Sequence, residues 1–344
     1  MTNDSRTREP SVRGASRIAA ATVLALIGFA ANSVLCRKAL GAHAIDAWSF
    51  TCVRLGSGAL TLLVLVRVGA LQAARRRERE AARDVAGSDR VASAAEPRTR
   101  DSWASAFALF AYAGAFSLAY LRLSAGVGAL VLFACVQATM IGWGIKSGER
   151  PSRVEWLGIA VALAGLVLLT LPGAVAPDPP DTLGLVLMMS AGIAWGAYSL
   201  RGRSSRSPLR STADNFARSV PMAVAGVLVG LSDAHTSWLG IALAMASGSI
   251  ASGLGYSLWY TALPGLSATR AAIVQLVVPI LAATLGILLL GEQLTARLSF
   301  SALMILGGVA LAILGRRRVR PIPAAPEIAP AAGARELTAE SSSR

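Results

Sequence analysis

The sequence predicts an all-α membrane protein, with ten transmembrane helices arranged as two inverted five-helix repeats. Three observations carry that expectation. Apolar stretches of about 18 or more residues, each long enough to cross roughly 30 Å of hydrocarbon as a helix, recur along the whole chain. Positive charge is concentrated in every second connection, and a set of residues recurs at fixed offsets.

The first 17 residues are polar and Arg-bearing, and no A-x-A cleavage site follows, so residues 18–40 read as an uncleaved first span. The second span, 47–69, leads into ARRREREAARDVAGSDRVASAAEPRTRD, whose charge and lack of apolar pattern predict an unfolded cytoplasmic insertion over 70–102. Spans three to five are expected at 103–121, 125–146 and 154–171, completing a first repeat over 18–171. The second repeat, 181–315, supplies spans at 181–200, 215–231, 237–260, 268–290 and 298–315. Residues 316–344, rich in Ala, Pro, Ser and charge, cannot bury a core and are expected to be a disordered tail.

Hydrophobic residues make up 54% of the chain and charged ones 15%, against about 25% charged in a soluble domain. The formal net charge of +14 would point to nucleic acid if it lay on one folded face. Instead, 25 of the 33 Lys and Arg fall before the first span, in 70–102, 146–153 and 201–211, and after residue 315. That alternation is the positive-inside pattern of a chain with both termini in the cytoplasm, and it argues against a nucleic-acid partner. Cys36, Cys52 and Cys135 all lie in apolar spans without metal spacing, and His43 and His235 stand alone in loops, so neither a metal nor a cofactor is expected.

Sliding the chain on itself aligns Gly28 with Gly192 and Arg54 with Arg218 at an offset of 164. Ser117, Leu118 and Tyr120 align with Ser257, Leu258 and Tyr260 at 140, and Gly148, Glu149 and Gly165 with Gly291, Glu292 and Gly308 at 143. The order is kept, and the fall from 164 to 140 places the extra residues in the 70–102 insertion. Because five is odd, the second copy enters the membrane from the opposite side. Inverted repeats of this kind mark secondary transporters, whose halves move against each other around a site near the midplane.

GYSLWYTALPGLSATRAAIVQLVVPILAATLGILLLGEQLT, followed by GGVALAILGRR, resembles the EamA family of the drug/metabolite transporter superfamily. IGFAANSVLCRKAL with FTCVRLGSGAL, and GLVLMMSAGIAWGAYSL, resemble the opening helices of its two domains. The resemblance covers residues 20–315 and implies ten helices, cytoplasmic termini in a cell inner membrane, and movement of small polar metabolites such as amino acids, usually outward. It departs from the family at Val136, where a proline equivalent to Pro279 often stands, so a proline hinge is expected on one side only.

Candidate site residues come from the cost of polar groups in lipid. Arg54, about seven residues into the second span, reads either as a cavity cation for a substrate carboxylate or phosphate, or as an interhelical anchor. Arg218, with Asp214 four residues earlier, suits an ion pair. Asn32, Gln137 and Gln275 suit either a polar pocket or helix-to-helix bonding. Trp195, Tyr198, Tyr256, Trp259 and Tyr260 suit either an interfacial belt or a stacking wall, and Tyr120 joins them from the third span. Pro279, Gly192 and Gly196 are candidate hinge or gating positions. The Gly-Glu pairs read as turns with water-facing carboxylates. With no Asp or Glu in the middle of a span, facilitated diffusion or exchange is expected, proton coupling being the alternative. The partners implied are a small-molecule substrate and the lipid bilayer, with a homodimer left open. A catalytic constellation is lacking, which excludes the usual enzyme classes.

Overall fold

The structure, a computed structural model, describes residues 12–83, 102–148, 151–170, 181–202, 205, 207–266, 271 and 274–315. It is built of helices, with a single isolated β-bridge, Ile45 to Thr236, among the described residues. In chain order these are α1 (Val12–Gly41), α2 (Ala47–Arg83), α3 (Ser102–Tyr120), α4 (Ala125–Lys146), α5 (Arg153–Thr170), α6 (Thr182–Gly202) and α7 (Pro208–Val229). They are followed by α8 (Trp238–Ala262), α9 (Val277–Leu290) and α10 (Ala296–Gly315).

Among the described residues, seven helices are long and apolar enough to cross a bilayer: α1, α2, α3, α4, α6, α8 and α10. The expected count of ten is therefore met by seven on length and composition. α9 has 14 residues, about 21 Å of helix. α7 carries Arg210, Asp214 and Arg218 in its first half, and α5 opens with Arg153 and Glu155.

The starts are set by local capping. Asp46 Oδ1 accepts from the N–H groups of Trp48 and Ser49 at α2, and Ser124 Oγ from Val127 at α4. Ser152 and Glu155 form a reciprocal box at α5: Glu155 N–H donates to Ser152 Oγ, and Ser152 N–H to Glu155 Oε2. Ser237 caps α8 and Thr295 caps α10.

One boundary corrects the sequence reading. α2 runs on to Arg83, so the first part of the expected 70–102 insertion is helical; Ala, Arg and Glu are strong helix formers. Residues 84–101 lie outside the described residues, as do the tails 1–11 and 316–344. Of the expected 268–290 span, residues 271, 274, 275 and 277–290 are helical with a turn at Leu276, and 268–270, 272 and 273 lie outside the described residues. Pro279 stands three residues after that turn, and its missing N–H cannot bond the carbonyl four residues back, at helical Gln275. Within α8, residues Ala246–Leu254 form a π-helical segment.

α5 packs on α10, α2 on α7, α3 on α6 and α7, α4 on α6 and α9, and α1 on α8 and α9. Small residues allow the closest approaches. A β-carbon on Gly308 would stand 2.5 Å from the Ala162 nitrogen and 2.6 Å from the Gly158 oxygen, so α5 and α10 meet backbone to backbone.

Candidate functional site

The π segment of α8 and the start of α2 meet at Gly248, whose missing side chain leaves room for the Arg54 carbonyl and Ser57 Oγ. Such segments, with one residue more per turn, recur at functional sites. The close approach seals the backbone of α2 and directs Arg54 inward: the side chain is 2% exposed, the largest fully buried one among the described residues. Its Nη2 donates to the Tyr112 hydroxyl at 3.0 Å. The guanidinium carbon lies 5.2 Å from the Tyr112 ring centre and 4.9 Å from that of Phe116, within cation–π range. Nε and Nη1 have no hydrogen-bond partner among the described residues.

A continuous set of rings extends from this cation. Tyr112 meets Trp195 with centres 4.8 Å apart; Trp195 meets Tyr198 at 5.3 Å and Tyr256 at 5.5 Å. Tyr256 contacts Phe29 at 5.5 Å, Phe216 at 6.0 Å and Tyr260 at 6.4 Å, and Phe29 reaches Trp259 at 6.0 Å. On the other side Phe116 stands edge-on to Tyr120 at 4.7 Å. Six helices, α1, α2, α3, α6, α7 and α8, contribute. Thr212 Oγ1 shares a 3.0 Å hydrogen bond with the Tyr260 hydroxyl and accepts one from Tyr198 at 3.5 Å, which fixes the α6–α7–α8 corner.

The arrangement brings together Arg54, Trp195, Tyr198, Tyr256, Trp259, Tyr260 and, through Phe116, Tyr120. Tyr198, Tyr256 and Trp259 are buried in the core, which favours packing over the interfacial-belt reading. Trp103, Trp156 and Trp238 are exposed and keep that reading. Asn32 is committed to helix bonding, since Ser247 Oγ donates to its Oδ1 at 2.6 Å and ties α1 to α8.

Other candidates lie apart. Gln137 is buried and lines a cavity of about 50 Å³ between α4, α5 and α10. Pro279 lines a second, of about 190 Å³, between α4, α9 and α10. Gln275 is half-buried in the helical residues just before the Leu276 turn. Gly192 and Gly196 seat α6 on α4: β-carbons there would stand 2.6 Å from Cys135 Cβ and 2.7 Å from Thr139 Cβ.

Two more expectations change. Asp214 and Arg218 share a helix face but form no ion pair. Glu292 is not a free loop carboxylate; its side chain is only 14% exposed and is engaged by Arg37 and the start of α4. Glu149, its repeat equivalent, lies outside the described residues.

Sequence reasoning passed over Tyr112 and Phe116 as site residues, although a signal existed. Positions 112, 116 and 120 follow a period of four, one face of a helix, and Phe116 aligns with Tyr256 at the same offset that pairs Tyr120 with Tyr260. Phe29 and Phe216 carried no signal beyond hydrophobicity. Among the described residues no group of His, Cys, Asp and Glu has the geometry of a metal site. Anion recognition by Arg54, stacking on the rings around it, and exclusion of water are what the cluster is equipped to do.

The model of the EamA-like transporter family matches residues 182–314. An uncharacterised protein of Pseudomonas aeruginosa is 46% identical over 295 residues, covering 86% of this chain and 94% of that protein. An inner membrane transporter of Escherichia coli, YedA, itself uncharacterised, is 27% identical over 214 residues, 60% of this chain and 66% of its own. An Escherichia coli protein named "Probable amino-acid metabolite efflux pump" is 26% identical over 224 residues, 61% of this chain and 74% of its own. A solved crystal structure shares the fold with a TM-score of 0.57 at 16% identity, covering 86% of this chain and 98% of its own. The family match across the later helices, the near full-length relative and a bundle of apolar spans agree, and the chain is a multi-pass membrane protein that belongs to the EamA-like transporter family.

Proposed function

We propose that this protein is a secondary transporter of small polar metabolites that carry a carboxylate, of the amino-acid class, working by alternating access between two inverted five-helix halves. Arg54 carries the reading. A guanidinium buried in lipid-enclosed protein with two unpartnered nitrogens is expensive, and among the described residues no carboxylate pairs with it to offset the cost. A planar anion presented to those nitrogens would accept paired hydrogen bonds, the geometry for which arginine is preferred over lysine. The rings of Tyr112, Trp195 and Tyr256 would then face the rest of the solute.

The two-half arrangement is supported by the packing: exchanging each helix for the one five places on turns α3–α6 into α8–α1, α4–α6 into α9–α1, and α3–α7 into α8–α2, all of which are contacts in the fold. It leaves α2–α7, α4–α9 and α5–α10 in place, as a two-fold axis in the membrane plane would. The name of the Escherichia coli efflux pump supports the substrate class. With both termini cytoplasmic, the α1–α2, α3–α4, α7–α8 and α9–α10 connections face outward.

The test is flux in proteoliposomes with labelled amino acids, nucleobases, sugars and hydrophobic drugs. Uptake of a carboxylate-bearing solute above that of empty liposomes is expected, with Arg54→Ala removing it while the protein still folds and inserts. If no labelled solute crosses, the carrier reading is lost; if Arg54→Ala transports normally, the anion site is elsewhere.

A further inference from the structure

Glu292 follows Gly291 in the turn between α9 and α10. Its Oε1 accepts a hydrogen bond from the Ala125 N–H at 2.7 Å and its Oε2 one from the Gly126 N–H at 3.5 Å. These are first-turn amides of α4, which have no acceptor within their own helix, and the carboxylate also meets the positive end of the α4 dipole. Arg37, in the last turn of α1, brings its Nε to 3.9 Å from Oε1. The Arg37 Nη1 donates to the carbonyls of Tyr120 at 3.0 Å and Leu121 at 3.4 Å, at the end of α3. One carboxylate from the second half therefore gathers the ends of α1, α3 and α4 of the first.

The backbone is shaped for this reach. Gly291 turns the chain at φ +69°, and the Glu292 N–H donates to the Gly286 carbonyl at 3.2 Å. Gly286 itself leaves the passage open, since a β-carbon there would stand 2.5 Å from Oε2 and 3.2 Å from the Ala125 methyl. The contact also closes the end of the ring cluster, because Tyr120, the last ring on the path from Arg54, donates its hydroxyl to the Ala125 carbonyl at 3.4 Å.

A second tie at the same end joins the α1–α2 and α7–α8 loops: Ser237 N–H donates to Ala44 O at 2.8 Å, Asp46 N–H to His235 O at 3.0 Å, and His235 N–H to Asp46 Oδ2 at 3.2 Å. Both ties cross between the halves.

We propose that Glu292 is a gating residue: its carboxylate, clasped by the start of α4 and by Arg37, holds the two halves together at this end and shuts the route to Arg54, and its release opens that route. The proposal rests on the two-half transport reading. The side chains of Glu292 and Arg37 are 14% and 29% exposed, dry enough for the contact to hold and wet enough at the rim for it to let go.

Amide hydrogen exchange on the full-length protein in nanodiscs tests this without a known solute. Glu292→Gln keeps the shape and an acceptor for Ala125 but loses the charge, and Arg37→Gln keeps the helix cap but loses its partner. Exchange is expected to quicken about tenfold in Glu292→Gln across 121–128, the weakening expected when a charge-assisted bond becomes a neutral one. It is expected to quicken also at 42–46 and 234–237, which Glu292 does not touch, and to do so more weakly in Arg37→Gln. The paired helices α5 and α10 should keep wild-type protection, which separates gate opening from unfolding. Faster exchange confined to 125–126, or unchanged exchange, would overturn the gate and leave a local helix cap; global loss of protection in both variants would overturn it in favour of a purely structural bond. Flux on the same preparations separates the two readings: wild-type transport with unaltered exchange in Glu292→Gln defeats the gate alone, whereas gate opening with no wild-type flux defeats the carrier alone.

Discussion

Arg54 shows how much one residue asks of its surroundings. The Gly248 contact fixes its backbone, Tyr112 takes one of its donors and Phe116 covers one of its faces, while Nε and Nη1 have no hydrogen-bond partner among the described residues. Tyr112→Phe keeps the ring but takes away the only acceptor the described residues give the Arg54 side chain. That variant is expected to lower unfolding free energy by roughly 1–3 kcal/mol, the cost of one more buried donor without a partner, and to raise the KM of the transported carboxylate as the guanidinium loses its orientation. Thermal unfolding in detergent and a concentration series of uptake measure the two effects; a variant indistinguishable from wild type in both would show that Tyr112 does not position Arg54. Asn32 is the contrasting case, a polar residue of the same first repeat whose acceptor is already taken by Ser247.

At the scale of elements, the bundle depends on where helices touch through glycine. α5 and α10 meet at Gly158 and Gly308, with backbone atoms on both sides that no rotamer change would move away. Gly308→Val is therefore expected to destabilise by about 1–3 kcal/mol through overpacking, read as a lower Tm in detergent. Gly307→Val is its control, because a β-carbon at Gly307 meets nothing within 4 Å. Equal shifts for the two variants would show that helix propensity, not the interhelical contact, sets the cost. Two helical stretches depart from regularity in different ways: α8 winds into a π segment that lets it approach α2, and the Leu276 turn, three residues before Pro279, separates α9 from the helical residues 274 and 275.

At the scale of the whole molecule, the proposed inversion of the halves makes a prediction about sidedness. Ser147, just after α4, and Gln293, just after α9, are repeat equivalents to within a few residues, both exposed. Single cysteines placed there, in a background lacking Cys36, Cys52 and Cys135, are expected to react with a membrane-impermeant thiol reagent from opposite sides, Gln293→Cys in intact cells and Ser147→Cys only in inverted vesicles. Reaction of both from one side would end the inverted arrangement and, with it, alternating access by exchange of the halves.

The sequence by itself determined that this is a helical membrane protein of the EamA-like kind, because crossing a bilayer imposes length and apolarity on every span and inward-facing loops gather Lys and Arg, all of which is written locally. It also named most of the ring cluster and its cation, since charge and amphipathic rings are conspicuous in apolar helices. Only the tertiary structure decided which of them meet. Tyr256 and Gln275 were equal candidates in the sequence, but one stands against four other rings and the other is half-buried apart from them, just before α9; Glu292 looked like a loop carboxylate until the fold carried the start of α4 to it. Membrane insertion acts on each helix separately, whereas a site is made by residues more than a hundred positions apart, and the contacts that bring them together arise from glycine-to-backbone packing for which the sequence records only an unusual number of small residues.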